Sequence, residues 1–313
     1  MNETPIAVIF PGQGSQRVGM GKDFYDEFPE SRTIYEEASD SLGWDVAAMC
    51  FEQNDCLNQT EYSQPCILTT EVAMYVGLRN RFNLLPDVFG GHSLGEYTAM
   101  VAAGAMPFLE TLKIVEKRGK YMQKASPGAG GKMAAVIGEN LDVDTIRHSI
   151  RLLNVDIANI NSRDQIVISG ASDHIDQAKA NITKAFSHDS SLRFVDLNVS
   201  APFHSRFMAG VRERFASVLK TAKDKIFSDQ ARRVTSNYTG DFHSGDSEDI
   251  INNLLMQLSG TVDWCENMRR LAGKAEKIYE VGPNRPLHNF FKTLGVSCKS
   301  ITSVSAANRV FDA

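Results

Sequence analysis

Residues 91–95 read Gly-His-Ser-Leu-Gly and fit the pattern G-x-S-x-G, in which the serine is a candidate nucleophile. The flanking sequence predicts a short buried strand at 87–89 and a helix rich in small residues over 94–105. A serine on such a sharp strand-to-helix turn exposes its Oγ, and the first N–H groups of the helix give the same place a partial positive charge. This geometry suits the negatively charged intermediate of acyl transfer. The alternative is an ordinary glycine-rich turn.

A nucleophilic serine needs a base, and histidine is the usual one. Three of the seven histidines fall on polar faces or in loops and are expected to be exposed: His148, His174 and His188. His92 is expected to point away from Ser93, out of the turn. His204 follows a predicted strand and is preferred as the base, with His288 beside an apolar turn as its rival. The Phe-His-Ser triplet around His204 recurs around His243, so the triplet alone does not identify the base.

A predicted helix over residues 107–124 carries one cation on its apolar side. Its lysines recur at helical spacing and form a solvated stripe: Lys113, Lys117, Lys120 and Lys124. Arg118 lies between Val115 and Met122 on the inward face, where an arginine requires an anionic partner. That partner is either an Asp or Glu of this chain or a substrate carboxylate, which the planar guanidinium binds through two hydrogen bonds.

The first predicted strand, at 6–10, leads into the turn Pro-Gly-Gln-Gly-Ser-Gln at 11–16. This turn fits neither G-x-G-x-x-G nor the phosphate-binding loop with its lysine, so a nucleotide site is not indicated. Loops at the carboxyl ends of parallel strands line the ligand crevice of an α/β sheet. Gln13 can therefore face Ser93; the alternative is a polar turn without a role.

The middle of the chain has the pattern of an inserted small domain. After the flexible segment Pro-Gly-Ala-Gly-Gly at 127–131, periodicity predicts elements in the order β-α-β-β-α-β. The predicted strands are 133–137, 155–160, 165–169 and 192–199, and the predicted helices are 143–151 and 174–186. This is the order of a ferredoxin-like unit, which would form one wall of a cleft against the larger domain.

Length and composition narrow the class of protein. With 313 residues, 42% of them hydrophobic and 23% charged, the chain is expected to hold one large and one smaller globular domain. A formal net charge of −5 argues against nucleic acid as the main partner. We find no apolar run long enough to span a membrane and no signal peptide. Five scattered cysteines without CxxC spacing indicate a reduced, cytoplasmic protein without a metal site.

Four segments together resemble the malonyl-CoA:acyl-carrier-protein transacylases. They are Phe-Pro-Gly-Gln-Gly-Ser-Gln at 10–16, Gly-His-Ser-Leu-Gly-Glu at 91–96, Arg118-Gly119 with Met122, and Phe-His-Ser at 203–205. The resemblance runs nearly end to end and is strongest to the free-standing acyltransferases that serve polyketide synthases. It implies an α/β fold, with an α/β-hydrolase-like catalytic domain over 1–128 and 199–313 and a ferredoxin-like subdomain over 129–198.

The resemblance also implies catalytic roles for individual residues. By this resemblance, Ser93 is the nucleophile and His204 is the base. The family has no triad acid, and a backbone carbonyl near Gln257 orients the histidine. Gln13 and the backbone N–H of Leu94 form the oxyanion hole, which stabilises the charge that develops on the carbonyl oxygen.

Substrate binding is implied in the same way. Arg118 corresponds to the clamp for the malonyl carboxylate, and Phe203 is expected to crowd an α-methyl branch on the acyl group. The other residues implied to bind substrate are Gln64, Met122, Asn161 and His92. One methyl group is worth only about 1–3 kcal/mol of selectivity in an apolar pocket, so minor use of methylmalonyl groups is expected.

The implied reaction moves a malonyl group from malonyl-CoA to the phosphopantetheine thiol of an acyl carrier protein through a malonyl-serine intermediate. The resemblance favours supply of a polyketide synthase and leaves fatty-acid synthesis open. A carrier protein and a CoA thioester are the expected partners, with no bound cofactor and a monomeric enzyme. Basic pairs at 232–233 and 269–270, with Lys274, are candidates for carrier docking, although such pairs are usually plain solvated surface.

Two other functions are weighed against this one. The first is a proofreading hydrolase that uses the same serine and histidine to free stalled acyl groups from carrier proteins. A buried Arg118 favours transfer of a carboxylated group, because a hydrolase of uncharged acyl chains has no use for a buried cation. The second is a non-catalytic protein that binds carriers. The intact Ser93 and His204 argue against it, since a binding module has little reason to keep an activated serine.

Overall fold

The computed structural model describes residues 4–125, 131–199 and 201–312. These residues form eight strands and fourteen α-helices. The strands are β1 (Ile6–Phe10), β2 (Val88–Gly91), β3 (Gly131–Ile137), β4 (Val155–Ser162), β5 (Gln165–Ala171), β6 (Arg193–Leu197), β7 (Lys277–Val281) and β8 (Cys298–Ile301). The helices are α1 (Lys22–Glu27), α2 (Pro29–Leu42), α3 (Val46–Phe51), α4 (Thr60–Phe82), α5 (Gly95–Ala102), α6 (Phe108–Lys124), α7 (Val143–Ile150), α8 (Ser172–Ala185), α9 (Ala209–Lys220), α10 (Ser228–Ala231), α11 (Ser247–Met256), α12 (Trp264–Ala272), α13 (His288–Lys292) and α14 (Val304–Phe311).

The first four-stranded sheet is parallel, with the strand order β2-β1-β7-β8. β1 reads Ile-Ala-Val-Ile-Phe and is buried along nearly its whole length, as expected for a strand covered on both faces. Phe10 pairs with Gly91, so β1 and β2 end side by side. The turns that follow them therefore meet at one edge of the sheet, with Gln13 in one turn and Ser93 in the other. The α/β class predicted from the sequence is confirmed.

The second four-stranded sheet is antiparallel, with the order β4-β5-β3-β6, and its elements follow the predicted order β-α-β-β-α-β. It has its own apolar core with α7 and α8, rich in isoleucines such as Ile146, Ile166 and Ile182. The predicted bounds differ slightly: β3 already begins at Gly131, and β6 ends at Leu197. The rest of the predicted entry segment, 127–130, lies outside the described residues.

A short backbone contact ties the antiparallel sheet to the rest of the molecule. The N–H of Val262 donates to the carbonyl of Ala158 in β4 at 2.8 Å, and the N–H of Ile160 donates back to the carbonyl of Val262 at 2.9 Å. Val262 belongs to the apolar cluster that also contains Ala7 and Ile9 of β1. Val262 thus links the two sheets, which also share an apolar cluster that includes Val8 of β1 and Ala135 of β3, and their facing surfaces can share a site.

The turn at Ser93 depends on a close backbone approach and on an unusual conformation. The predicted strand and helix around it are observed as β2 and α5. α5 begins at Gly95, where a Cβ would lie only 2.2 Å from the carbonyl oxygen of Phe10. Ser93 has φ of +52°, in the left-handed region that residues other than glycine seldom adopt. Such a conformation costs about 1–3 kcal/mol and persists only where the surroundings hold it.

Replacing the glycine before this turn should destabilise the protein. In Gly91→Ala, the new Cβ would lie 2.0 Å from the backbone carbonyl of Gly95, and no side chain can move to relieve the overlap. We expect the free energy of unfolding, measured by urea denaturation, to fall by about 3 kcal/mol. Gly210→Ala in α9 is the matched control, because nothing lies within 4 Å of a Cβ there. It should stabilise the helix by about 0.5–1 kcal/mol. Equal stabilities for the two variants would contradict the close approach.

Candidate active site

Ser93 and His204 form a hydrogen-bonded pair. Ser93 Oγ lies 2.8 Å from His204 Nε2, and His204 Nδ1 lies 2.7 Å from the backbone carbonyl oxygen of Gln257. A carbonyl only accepts, so Nδ1 carries the proton and Nε2 is free to take the proton of the serine. Burial, reinforced by the Arg118 cation, lowers the pKa of His204 to about 3. The imidazole is therefore neutral at pH 7, as a base must be.

The structure distinguishes the histidines that remained open in the sequence. His243 Nε2 lies 2.9 Å from a buried carboxylate in α5, and His288 Nδ1 lies 2.5 Å from a backbone carbonyl of β8. His92 Nε2 bonds to a side-chain amide of β4 at 2.8 Å, as expected for a ring that points away from Ser93 Oγ. Of these candidates it is His204 that hydrogen bonds to the serine. Among the three histidines set aside, His148 and His188 are exposed, whereas His174 is half-buried.

Arg118 is buried in α6, with 1% of its surface exposed. Its Nη1 donates to Gln64 Oε1 at 2.8 Å, and its Nη2 donates to Gln257 Oε1 at 3.0 Å and to Ser93 Oγ at 3.2 Å. Its Nε has no hydrogen-bond partner in the part of the chain that the structure describes. Within that part, no Asp or Glu forms a direct salt bridge with it. The cation is thus held beside the serine by neutral groups.

Gln257, which follows α11, links all three of these residues to a buried carboxylate. Its Nε2 donates to Ser93 O at 2.9 Å and to Glu96 Oε2 at 2.6 Å, while its Oε1 accepts from Arg118. Glu96 is fully buried in α5 and also pairs with His243. Sequence reasoning missed this role of Glu96, although a charged residue on a helix of small apolar residues was a usable signal. The buried positive charge is thereby balanced across one amide rather than by direct contact.

A buried asparagine holds the strained turn. Asn237 Oδ1 accepts from the N–H of Ser93 at 2.6 Å, and its Nδ2 donates to the carbonyl of Gly91 at 2.7 Å. The same Nδ2 reaches Asn267 Oδ1 at 2.9 Å, so the asparagine is fixed from both sides. Sequence reasoning did not identify Asn237, because it lies in a polar segment without a recognisable pattern. Its contacts provide the surroundings that a residue with positive φ requires.

A cavity of about 800 Å³ opens above the pair, between the two sheets. Its polar side includes most of the implied site residues: Gln13, Gln64, His92, Ser93, Arg118, Asn161 and His204. Its apolar side includes Met122 and Phe203, which were implied, and residues of the antiparallel sheet such as Met133, Ala135, Val167 and Leu197. Sequence reasoning missed a third part of the wall, formed by Pro286, Leu287 and Phe290. Leu94, another implied site residue, is fully buried and is not among the residues that line the cavity.

Two glutamines line the polar side beside the cation. Gln64 Nε2 lies 3.3 Å from Gln13 Oε1 and 3.4 Å from Met122 Sδ, while Gln13 Nε2 donates to Thr60 Oγ1 at 3.1 Å. One N–H of the Gln13 side chain is therefore directed at Thr60 in α4.

Residues 4–125, 131–199 and 201–312 contain neither a metal-binding cluster nor a helix that could span a membrane. No group of three or more His, Cys, Asp or Glu side chains in these ranges is placed to hold a metal ion. In the same ranges, no helix is both long and apolar enough to cross a bilayer.

Removing the buried carboxylate should destabilise the site. In Glu96→Gln, the amide oxygen can still accept from Asn237 and Gln257, but the amide nitrogen replaces the oxygen that faces His243 Nε2, and the Arg118 charge loses its counter-charge. We expect the free energy of unfolding to fall by about 2–4 kcal/mol. Glu116→Gln in α6 is the control; Glu116 pairs with the exposed Lys120, so its loss should cost less than about 1 kcal/mol. If urea denaturation shows similar losses for both, the counter-charge assignment is wrong.

Known acyltransferases are similar to this chain along most of its length. Residues 8–293 match the family described as "Acyl transferase domain". The malonyl CoA-acyl carrier protein transacylase of Bacillus subtilis (strain 168) is 33% identical over 303 residues, covering 95% of this chain and 92% of that protein. The polyketide biosynthesis malonyl CoA-acyl carrier protein transacylase BaeC of Bacillus velezensis is 36% identical over 285 residues, covering 90% and 94%.

A solved structure extends this similarity to the fold. It shows a type II polyketide synthase acyl-carrier protein in complex with its malonyl-transacylase. It matches with a TM-score of 0.88 and 29% identity, covering 99% of this chain and 99% of that chain. A family match over most of the chain, together with relatives above 30% identity along nearly its whole length, identifies the family. The chain belongs to the acyl transferase domain family and, within it, to the malonyl-CoA:acyl-carrier-protein transacylases.

Proposed function

We propose that this enzyme transfers a malonyl group from malonyl-CoA to the phosphopantetheine thiol of an acyl carrier protein. The observation that carries the proposal is the position of Ser93 Oγ, which is shared between the neutral base His204 and the cation of Arg118. A nucleophile beside a buried guanidinium suits an acyl group that carries a carboxylate. The names of the relatives, which are malonyl CoA-acyl carrier protein transacylases, support the same substrate pair.

In the first half-reaction, Ser93 attacks the thioester carbonyl of malonyl-CoA while His204 Nε2 takes the hydroxyl proton. The negative charge that forms on the carbonyl oxygen is stabilised by the backbone N–H groups of Leu94 and Gln13. Neither N–H has a hydrogen-bond partner among the described residues, which supports this assignment. When the carbon–sulfur bond breaks, His204 returns the proton to the sulfur and CoA leaves. A malonyl ester remains on Ser93.

The second half-reaction reverses these roles. The thiol of the carrier's phosphopantetheine gives its proton to His204 and attacks the ester carbonyl. The carbon–oxygen bond to Ser93 then breaks, and the serine oxygen recovers the proton from His204. The carbonyl of Gln257 stabilises the protonated histidine in both halves, since Nδ1–H donates to it throughout. Because one product leaves before the second substrate reacts, the kinetics should be ping-pong.

Arg118 is the proposed clamp for the malonyl carboxylate. Gln64 and Gln257 hold its two terminal nitrogens, and Nε is unpaired among the described residues. Phe203 and Met122 supply the apolar surface around the acyl group, with Phe203 set to crowd an α-methyl branch. The clamp favours transfer over the hydrolase alternative, because an uncharged acyl chain would leave the buried cation without a partner. We assign Asn161 and His92, which bond to each other, to the cleft wall.

The pathway, the domain names and the oligomeric state are part of the same proposal. The similarity to BaeC and to a transacylase of a type II polyketide synthase supports supply of extender units for polyketide synthesis. The parallel sheet supports an α/β-hydrolase-like catalytic domain over 1–128 and 199–313, and the strand order β4-β5-β3-β6 supports a ferredoxin-like subdomain over 129–198. The site draws all its proposed catalytic groups from one chain, which fits a monomer.

The transferase assignment is tested by intact-mass spectrometry with malonyl-CoA and, separately, acetyl-CoA. Malonyl-CoA should yield an adduct on Ser93 that moves to a carrier bearing phosphopantetheine, and Ser93→Ala should abolish it. Arg118→Ala should lower the rate of malonyl transfer by about 100-fold or more, because the charge pair between Arg118 and the malonyl carboxylate is lost. The same variant should gain acetyl transfer. Lys117→Ala, on the exposed face of the same helix, is the control and should retain full activity. Release of acyl groups to water by the wild type, without a stable malonyl adduct, would instead indicate the hydrolase.

The depressed pKa of His204 predicts a flat acid side of the pH profile. A base works when it is deprotonated, so a histidine with pKa about 3 stays active well below neutral pH. The rate of the first CoA release, followed by stopped flow, should therefore vary little between about pH 5 and pH 8. Circular dichroism at each pH controls for unfolding. A fall in rate with a midpoint near the ordinary histidine value of about 6.5 would show that burial does not set the protonation state.

A further inference from the structure

A second cavity, of about 450 Å³, lies next to the active-site cavity and has a strongly basic lining. Its lining residues are Arg17, Asn284, Arg285, His288, Ser300, Thr302, Ala306 and Arg309. Three of the eight are arginines, and none is an Asp or Glu. For a chain with a formal net charge of −5, this is a local concentration of positive charge that composition does not explain.

The three arginines of this cavity are exposed and have no salt bridge with any described residue. Within the described residues, their one side-chain hydrogen bond joins Arg309 Nη1 to Ser305 Oγ, one turn away on α14. The docking candidates from the sequence are different. Arginines 232 and 269–270 form ion pairs with nearby carboxylates, and Arg233 donates to backbone carbonyls. Of the arginines in these two sets, those whose guanidinium groups are available for an external anion are Arg17, Arg285 and Arg309.

The two cavities share the chain segments that separate them. Gln16 lines the active-site cavity and Arg17, the next residue, lines the basic one. In the segment after β7, Pro286 and Leu287 face the active-site cavity, while the flanking Arg285 and His288 face the other. Consecutive Cα atoms are about 3.8 Å apart, so the cavities lie side by side. Asn284 Nδ2 donates to Ser15 O at 2.8 Å and holds the two segments together.

We propose that Arg17, Arg285 and Arg309 form a phosphate-binding subsite for the distal end of the pantetheine arm whose thioester reacts at Ser93. This inference rests on the proposed function, because both the CoA donor and the carrier then present a phosphate at the end of the same arm. Guanidinium groups bind phosphate oxygens through paired hydrogen bonds. Three of them together can bind either the diphosphate of CoA or the single phosphate that joins the arm to a carrier. Binding the phosphate far from the reacting carbonyl positions the thioester at Ser93 without any contact between the arginines and the reacting atoms.

The test compares donors with and without phosphate. The triple variant Arg17→Ala, Arg285→Ala and Arg309→Ala should raise KM for malonyl-CoA about tenfold, given the modest strength of each exposed charge contact. Its KM for malonyl-pantetheine, which has the same arm without phosphate, should not change. The variant Lys113→Ala, Lys117→Ala and Lys124→Ala removes the same charge from an exposed stripe of α6 and should behave as wild type. Raised salt should weaken malonyl-CoA binding to the wild type more than to the arginine variant.

Further arms identify the source of the phosphate. If the arginine variant also has a raised KM for malonyl-3′-dephospho-CoA, the subsite holds the phosphate next to the pantetheine, which donor and carrier share. If its KM for this donor equals that of the wild type, the subsite holds the 3′-phosphate of CoA. Equal effects on malonyl-CoA and malonyl-pantetheine, or an equal effect of the lysine variant, would overturn the proposal. The proposal would also be overturned if a carrier without phosphopantetheine inhibits the wild type by competing with malonyl-CoA but does not inhibit the arginine variant. The arginines would then bind carboxylates of the carrier protein and not a phosphate.

A binding experiment separates this inference from the transferase assignment. Free CoA and pantetheine are titrated calorimetrically into the wild type and the arginine variant, without turnover. The subsite is supported if the wild type binds CoA more tightly than pantetheine and the arginine variant binds CoA about tenfold more weakly than the wild type does. This result would support the subsite even if malonyl transfer is absent. Normal malonyl transfer by a wild type that binds CoA no better than pantetheine overturns the subsite and leaves the transferase assignment intact.

Discussion

The site is organised around one constraint, a positive charge buried next to the nucleophile. Removing Arg118 from water is costly, and folding leaves only about 5–15 kcal/mol to spare. A direct salt bridge would balance the charge but would occupy the groups that a substrate carboxylate needs. Here the side-chain amide of Gln257 stands between Arg118 and Glu96, accepting from one and donating to the other. The charge is balanced while the guanidinium can still receive an anion.

The same residue also supports the strained parts of the backbone. Ser93 and His204 both have positive φ, +52° and +55°, and neither is a glycine. Asn237 and the amide of Gln257 hold the backbone of Ser93, while the carbonyl of Gln257 holds the imidazole of His204. Strain of this kind persists where several contacts determine one conformation. The nucleophile, the base and the cation are therefore aligned by one residue at the end of α11.

The two sheets contribute different chemistry to the cavity. The parallel sheet supplies turns with backbone N–H groups and polar side chains, as the carboxyl ends of parallel strands generally do. The antiparallel sheet supplies an apolar patch of Met133, Ala135, Val167 and Leu197, together with the polar side chains of Asn159, Asn161 and Gln165. The apolar patch limits water around the reacting groups and strengthens their electrostatic interactions. The segment 284–290 closes the third side and separates this cavity from the basic one. A polar floor under an apolar wall suits an acyl group with one charged end.

Local pattern was enough for several features. The strand-turn-helix around Ser93, the element order of the antiparallel sheet and the inward position of Arg118 all follow from periodicity and glycine placement within short windows. Position along the chain favoured His204 as the base, and the family resemblance supported that choice and added the carbonyl of Gln257. Neither source identified Glu96 or Asn237 as parts of the site, although they bond each other across 141 positions of sequence. The hydrogen bond of His204 to Ser93, and the contact of Arg118 with an amide rather than a carboxylate, are visible only in the tertiary structure, because these contacts join residues that no local pattern relates.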